Sequence, residues 1–178
     1  MLAIAFSGKL GSGKTTISNA TATALGWPLV GFGNYVRKVV RERGLEGTRE
    51  NLQAVGTELL ERDSYDFCKA VLSSGGWTRG EPLLIDGLRH VRTISIIQEL
   101  ISPAKLRIVS ISVSEATRLQ RLGQRSHVDA ASIGMIEAHS SEQEVSSILC
   151  DHADLVIDGE KPVSVLVAEV VHWIRAQS

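Results

Sequence analysis

Cysteine, proline and aromatic residues are all scarce in this 178-residue chain. The two cysteines, Cys68 and Cys150, lie far apart and form no CxxC pair. A disulfide scaffold and a zinc cage are thereby excluded, and a reducing compartment is the expectation. With four prolines against sixteen glycines, the composition favours tight turns between regular elements. Charge of one sign is also missing: 19 basic residues face 20 acidic ones, for a formal net charge of −1. A broad surface for a nucleic-acid polymer would show a basic excess, so that class of partner is set aside. No apolar run approaches the roughly 18 residues that a membrane span requires. The opening Met1–Phe6 has neither a basic n-region nor a cleavage-type tail, and it reads as a buried first strand of a cytoplasmic protein.

What is present is a 43% hydrophobic chain of single-domain length, enough for a full core. Strand-like runs occur at Leu2–Phe6, Pro28–Val30, Leu83–Ile85, Leu106–Val113 and Leu155–Ile157. Helical patterns separate them. Ile17, Ala20, Ala24 and Leu25 share one face, Leu52, Val55, Leu59 and Leu60 another, and Val163, Leu166, Val167, Val170, Val171 and Ile174 a third. Thr48 and Ser64 read as N-caps, and Gly44 and Gly75-Gly76 as stops. Strands alternating with helices predict one α/β domain with a parallel sheet covered on both faces. The stretch from Arg121 to about Ser141 is the least patterned and is the place for a flap.

The decisive segment is Gly8-Lys9-Leu10-Gly11-Ser12-Gly13-Lys14-Thr15, a GxxxxGK[ST] loop between a strand and a helix. Glycines let successive backbone N–H groups turn inward around an anion, and the helix N-terminus adds its positive end. In this pattern Gly8, Gly11, Ser12 and Gly13 cradle phosphate, and Lys14 spans the β- and γ-phosphates of ATP. Thr15 holds Mg²⁺, and Thr16 follows in the first turn. Four specified positions recur by chance in about one chain of this length per hundred. Lys9 reads equally well as a phosphate contact or as a solvated loop residue.

Leu83-Leu84-Ile85-Asp86 is an apolar strand ending in an aspartate, which places a carboxylate beside the Mg²⁺. Gly87 stands where motor and transporter ATPases carry a water-activating glutamate, and none of the three asparagines is followed by lysine as a guanine-reading motif requires. Phosphate transfer to a small acceptor remains. Five histidines share no metal-like spacing; His90, beside Arg89, is the one placed near substrate, and His152 with Asp151 and Asp154 reads as a solvated helix end. Trp173 reads as packing on the final helix, while Trp77 is a candidate border of the acceptor pocket.

Gly33-Asn34-Tyr35-Val36-Arg37 and Asp86-Gly87-Leu88-Arg89 resemble the GDxxR and DGxPR segments of adenylate kinases, within the P-loop nucleoside monophosphate kinase superfamily. The resemblance implies that Asn34, Arg37 and Arg89 bind the acceptor, with both arginines gripping its phosphate. It implies that Arg121 and Arg125, in Arg121-Leu122-Gly123-Gln124-Arg125, look like the paired arginines at the base of a kinase lid and neutralise charge during transfer. Lys14, Asp86, Arg89, Arg121 and Arg125 form the implied catalytic set, and Asp158-Gly159 falls where related kinases contact the donor base. Closer in spacing are small dephospho-CoA-kinase-like or "AAA family ATPase" nucleotide-kinase-like proteins. They share an LQxxG helix (Leu52–Gly56), a DGxRH and a closing ADLVIDG (Ala153–Gly159). The implied fold is a three-layer α/β/α P-loop domain spanning 1–178, with five parallel strands in order 2-3-1-4-5. An acceptor-binding helical segment at 32–80 and a lid at about 121–141 complete it.

Departures accompany the resemblance: Asn34 replaces an acid, the DGxPR proline is absent, the long lid is missing, and no DxD follows the second strand. The resulting expectation is an ATP- and Mg²⁺-dependent kinase, monomer or homodimer, acting on a nucleoside monophosphate or nucleotide-like metabolite. The alternatives are a dephospho-CoA-type or other hydroxyl kinase, and a nucleotide-binding regulatory protein without phosphotransfer.

Overall fold

The computed structural model describes residues 1–124 and 151–177. Its centre is a five-stranded parallel sheet of β1 (Leu2–Ser7), β2 (Leu29–Gly31), β3 (Leu83–Asp86), β4 (Lys105–Ser112) and β5 (Leu155–Asp158). The strands lie in the order β2-β3-β1-β4-β5, as the resemblance implies. Each expected strand is present with its ends shifted by a residue or so. Seven helices occur among the described residues: α1 (Lys14–Leu25), α2 (Phe32–Glu42), α3 (Arg49–Arg62), α4 (Ser64–Ser74), α5 (Arg92–Ile101), α6 (Glu115–Gly123) and α7 (Val163–Arg175).

Alternation along the buried strands sorts the core into two layers. Ala3 and Ala5 of β1, with Leu83 and Ile85 of β3, face a cluster built with α2, α3, α4 and α5. Leu2, Ile4 and Phe6, with Leu84, Val109 and Ile157, face the opposite cluster under α1 and α7. Alanine on the first face lets the larger apolar side chains of the helices fill the layer.

Register then decides where chemistry can occur. Phe6 of β1 lies level with Asp86 of β3, Asp86 with Gly31 of β2, Ser7 with Ser110, and Ser112 with Asp158. The carboxyl ends of all five strands are thus aligned along one edge, where open α/β sheets bind ligands. Phe6 also accepts hydrogen bonds from the backbone N–H groups of Gly87 and Leu88, at 3.2 Å each. That contact fixes the turn leaving β3 against the start of the phosphate loop.

Several local readings hold and some are corrected. Thr48 caps α3 by accepting from the Asn51 N–H at 3.3 Å. Helix α4, by contrast, is capped by Asp63 rather than Ser64. The Asp63 carboxylate accepts from the Asp66 N–H at 2.9 Å, a stronger acceptor one residue earlier. Gly44 and Gly76 adopt positive φ after α2 and α4, as stops should. On α1 the buried face is Ile17, Ser18 and Thr21, while Ala24 is exposed; close approach to the sheet favours small polar residues over the apolar stripe. Helix α7 buries Leu166, Val170 and Ile174 and leaves Val163 exposed at its first turn. The residues at 32–80 contain α2, α3 and α4, and an Arg43–Glu58 ion pair links α2 to α3, with Nη2 to Oε1 at 3.0 Å. Among the described residues no helix is long and apolar enough to cross a membrane.

Cys68 provides a probe of this core. It is fully buried on α4, and burial pushes its thiol up to about 12. Only the thiolate reacts readily with iodoacetamide. At pH 8, native Cys68 should alkylate on the order of 10³ more slowly than in denaturant, from its depleted thiolate alone. Peptide-resolved mass spectrometry measures this separately from Cys150. Equal native and denatured rates at Cys68 would contradict the packing of α4.

Candidate active site

The phosphate loop leaves β1 at Gly8 and enters α1 at Lys14. Gly11 and Gly13 take φ of 87° and 89°, conformations that side-chain-bearing residues rarely adopt. The same turn brings the Ser12 N–H to the Lys9 carbonyl at 3.1 Å. Lys14 arches back over the loop, its Nζ donating to the Lys9 carbonyl at 3.4 Å, and is 6% exposed. Lys9 itself is exposed, which suits its reading as a solvated residue. Thr16 lies exposed in the first turn of α1. Gly11 packs against α6: a Cβ there would stand 3.0 Å from Cγ of Arg118 and 3.1 Å from Cγ of Leu122. Arg118 is a buried brace for the loop.

Next to the loop, the Thr15 hydroxyl donates to Asp86 Oδ2 at 2.9 Å. Among the described residues, the other oxygen, Asp86 Oδ1, is buried with no hydrogen-bond partner, as is the Ser12 hydroxyl. Buried oxygens of this kind are costly unless something completes them. A hydroxyl and a half-satisfied carboxylate at the mouth of a phosphate loop are hard oxygen donors suited to Mg²⁺. The residues present therefore fit a nucleotide–Mg²⁺ ligand.

On the donor side, Arg121 of α6 spans two backbone carbonyls. Its Nη1 donates to Ser12 O at 3.3 Å and its Nη2 to Gly159 O at 2.9 Å. Arg121 thus ties the phosphate loop to the turn after β5. Its expected partner, Arg125, lies outside the described residues, as does most of the expected lid. Asp158 ends β5 and its Oδ1 accepts from the Glu160 N–H at 3.1 Å. Glu160 caps α6 from outside, accepting from the Thr117 hydroxyl at 2.7 Å and the Ser114 N–H at 2.8 Å. Those hydrogen bonds, Thr117's first, hold its carboxyl below the ordinary range. The clamp is therefore complete at neutral pH and is lost as pH falls through that lowered value.

On the other side of the strand edge lies a pocket of about 220 Å³. Leu10 from the tip of the phosphate loop and Gly87 from the β3 turn border it, so it lies beside the phosphate loop. Arg37, Arg89 and His90 line it. Arg37 is held by Asn34, its Nη1 donating to Asn34 Oδ1 at 2.7 Å, while Asn34 itself does not reach the pocket. Apolar walls come from Phe32, Val36, Leu52, Leu60 and Phe67, with the Phe32 and Phe67 rings edge-on at 5.4 Å.

Sequence reasoning missed Arg49, Gln53 and Thr57 of α3, all of which line this pocket. Their i, i+4, i+8 spacing beside Leu52, Gly56 and Leu60 was the available signal. Trp77 does not line the pocket; it packs on the core cluster and donates from Nε1 to the Glu81 carbonyl at 2.9 Å. Asp154, near His152, is structural: its carboxylate accepts from Arg107 at 2.7 Å and from the Ile108 N–H at 2.8 Å, joining β4 to β5. Among the described residues no group of three His, Cys, Asp or Glu could hold a metal ion.

Residues 4–144 match the model of a family described as AAA domain. A UPF0200 protein of Methanothrix thermoacetophila is 30% identical over 135 residues, covering 75% of this chain and 71% of that protein. A UPF0200 protein of Hyperthermus butylicus is 31% identical over 125 residues, 70% of this chain and 65% of that one. The matched region thus spans about two thirds of these relatives. A solved structure titled as a putative kinase from Chloroflexus aurantiacus superposes with TM-score 0.64 at 19% identity, covering 99% of this chain and 97% of that one. Shikimate kinase from Acinetobacter baumannii, solved with shikimate, gives 0.60 at 17% identity, covering 100% and 95%. At such identities these two likenesses show the P-loop kinase-like fold.

Gly159 makes the donor side testable. A Cβ added there would stand 2.7 Å from Cγ2 of Val113, 2.9 Å from Cγ2 of Ile111 and 3.1 Å from the Ser112 carbonyl. Overpacking of this kind costs about 1–3 kcal/mol. Gly159→Ala should lower the melting temperature by roughly 2–12 °C. An unchanged melting curve would show that the β5 turn does not press on β4.

Proposed function

From the premise that this chain belongs to the AAA domain family and is a UPF0200 relative, we propose that it transfers the terminal phosphate of ATP to a small phosphorylated acceptor. The observation that carries the proposal is an arginine-lined pocket beside the phosphate loop that, among the described residues, has no aspartate or glutamate in its lining. The nature of that lining separates two kinds of acceptor. A hydroxyl must lose a proton during attack and calls for a nearby carboxylate base. A phosphate is already a nucleophile and calls for cations to hold it. Here Asp86, which precedes the lining residue Gly87, accepts the Thr15 hydroxyl and belongs to the metal-facing edge. The chain's kinase-like fold is shared with proteins titled as gluconokinase and shikimate kinase, whose named substrates carry hydroxyls. The lining chemistry favours a phosphate instead, a nucleoside monophosphate above all.

In this reading Lys14 and the loop N–H groups bind the donor phosphates, and Thr15 and Asp86 hold the metal. Bound there, Mg²⁺ would neutralise charge on the donor phosphates. Arg37 and Arg89 fork onto the acceptor phosphate and orient it toward the loop, while Asn34 orients Arg37. Arg121 positions the loop through Ser12 and the donor turn through Gly159. Catalysis is positioning and charge neutralisation without a covalent intermediate.

Coupled ADP release is the direct test, run over nucleoside monophosphates, deoxynucleotides, dephospho-CoA, phosphorylated sugars and hydroxyl acceptors. Acceptor-dependent ADP production with a monophosphate supports the reading. Tight ATP binding with no turnover on any acceptor favours a regulatory nucleotide-binding protein. Lys14→Ala should reduce turnover by on the order of 10²–10³, the loss usual for one preorganised charge stabiliser. Near-normal turnover in that variant would show that the loop is not the donor site.

Arg37→Ala and Arg89→Ala separate acceptor from donor. Each should raise the acceptor KM by about 10- to 150-fold, from the roughly 1.5–3 kcal/mol of a charged hydrogen bond lost. The KM for ATP should move far less. Lysine should rescue only partly, because it keeps the charge but loses the fork. Steady-state kinetics with both substrates varied measures this, and equal effects on ATP and acceptor would refute the assignment.

A further inference from the structure

Asn34 stands between two groups of opposite charge. From the first turn of α2, its Oδ1 accepts from Arg37 Nη1 at 2.7 Å. A guanidinium offers only donors, so the amide oxygen has to face it and the amide nitrogen has to face elsewhere. That nitrogen lies beside Gly31, which is level with Asp86. A Cβ added at Gly31 would stand 3.4 Å from Asn34 Nδ2 and 3.6 Å from Asp86 Cβ, so the amide and the Asp86 side chain flank one point. Among the described residues, Asp86 Oδ1 is buried without a hydrogen-bond partner. One side chain thus presents an acceptor to a cation of the pocket and a donor on the side of the metal-facing carboxylate. An amide can do both at once, whereas a carboxylate in its place would serve Arg37 and repel Asp86.

The amide also decides the charge of the grip. An aspartate at this position would hold Arg37 by a stronger, charged hydrogen bond, and as a first-turn acid it would favour α2. On position and helix stability alone aspartate is the better residue, yet the chain carries asparagine. What the amide preserves is charge: Arg37 is held in place with its own charge uncancelled. Among the described residues Asn34 is the one side-chain partner of Arg37, which lines the pocket. Asn34 does not line the pocket itself and acts through Arg37 as a positioning residue. We propose that Asn34 sets the charge preference of the acceptor pocket. By keeping Arg37 unneutralised, it selects a terminal phosphate monoester, which carries about −2 near pH 7, over singly charged groups of the same shape. The proposal deepens the phosphotransfer reading and rests on it for the class of acceptor.

Equilibrium binding tests this independently of turnover. Isothermal titration of the whole chain, with the phosphate loop saturated by a non-hydrolysable ATP analogue, compares AMP with adenosine 5′-sulfate and UMP with uridine 5′-sulfate. Within each pair the esters match in shape and differ by one negative charge. The phosphate should bind about tenfold or more tightly than the sulfate in at least one pair. A charge placed at position 34 acts twice as strongly on a dianion as on a monoanion. Asn34→Asp should therefore weaken phosphate binding about tenfold and sulfate binding only about threefold. Asn34→Ala removes the strut and no charge, so it should weaken both esters alike and leave their ratio unchanged. Circular dichroism melts confirm that the variants fold, and the wild-type comparison needs no variant. Phosphate binding in Asn34→Asp as tight as in the wild type would reduce Asn34 to a strut and overturn the proposal. An unchanged ratio in that variant, equal wild-type affinities for phosphate and sulfate, or no binding of any of the four would overturn it too. Coupled ADP release with AMP and UMP reports separately on phosphotransfer. Charge-selective binding without ADP release would refute the kinase reading and leave the role of Asn34 standing.

Discussion

Everything at this site depends on one constraint, the shared register of three parallel strands. Phe6, Asp86 and Gly31 sit level across β1, β3 and β2. Because they do, the residue after each strand emerges at the same height, and three different connections meet at one edge. The phosphate loop supplies Lys14 and Thr15, the β3 turn supplies Arg89, and α2 supplies Arg37. A slip of two residues between β1 and β3 would keep the buried faces intact yet carry Asp86 about 7 Å along the strand. The 2.9 Å contact between Thr15 and Asp86 would then be impossible. Core packing specifies the faces, and the turn contacts at the Phe6 carbonyl help to specify the height.

The donor half was readable from the chain because its chemistry is local. A glycine-rich loop between a strand and a helix needs only eight consecutive residues to declare itself, and an apolar run ending in Asp86 needs four more. The strand order was legible only through resemblance, since order is a long-range property. The acceptor half was legible in part. Arg89 follows β3 closely and Arg37 lies in the second turn of the helix after β2, and both were legible through the resemblance. Arg49 was not: its place in the pocket arises from how α3 packs on α2, with Val36 against Gly56, and no local signal encodes that packing. The same limit explains Trp77, whose indole is turned toward Glu81 by a loop hydrogen bond. It also explains Asp63, where sequence offers two adjacent capping residues and geometry chooses the stronger acceptor.

Arg121 illustrates a residue whose type was informative and whose partners were not. An arginine on a helix near a phosphate loop reads naturally as a charge neutraliser. In the structure its fork is occupied by two carbonyls, Ser12 and Gly159, from opposite sides of the donor region. Those contacts join with Glu160 on Ser114 and Thr117, so that α6 is tied at both ends to the loop after β5. The phosphate loop is therefore braced from behind by a helix rather than by the sheet alone. Gly11 against Arg118 and Leu122 is the point where that brace bears on it.

The pocket's charge has a consequence for how a ligand arrives. The chain as a whole carries −1, yet one concavity concentrates three arginines with, among the described residues, no carboxylate in its lining. Such a field is short in reach. At physiological ionic strength it fades over about 8 Å, and the nearly balanced remainder of the surface adds no pull at longer distance. Encounter with an anion is then governed by ordinary diffusion, and capture begins only once the molecule is at the rim. Electrostatics in this protein acts on residence time and orientation more than on arrival, which sets it apart from enzymes whose whole surface funnels substrate inward.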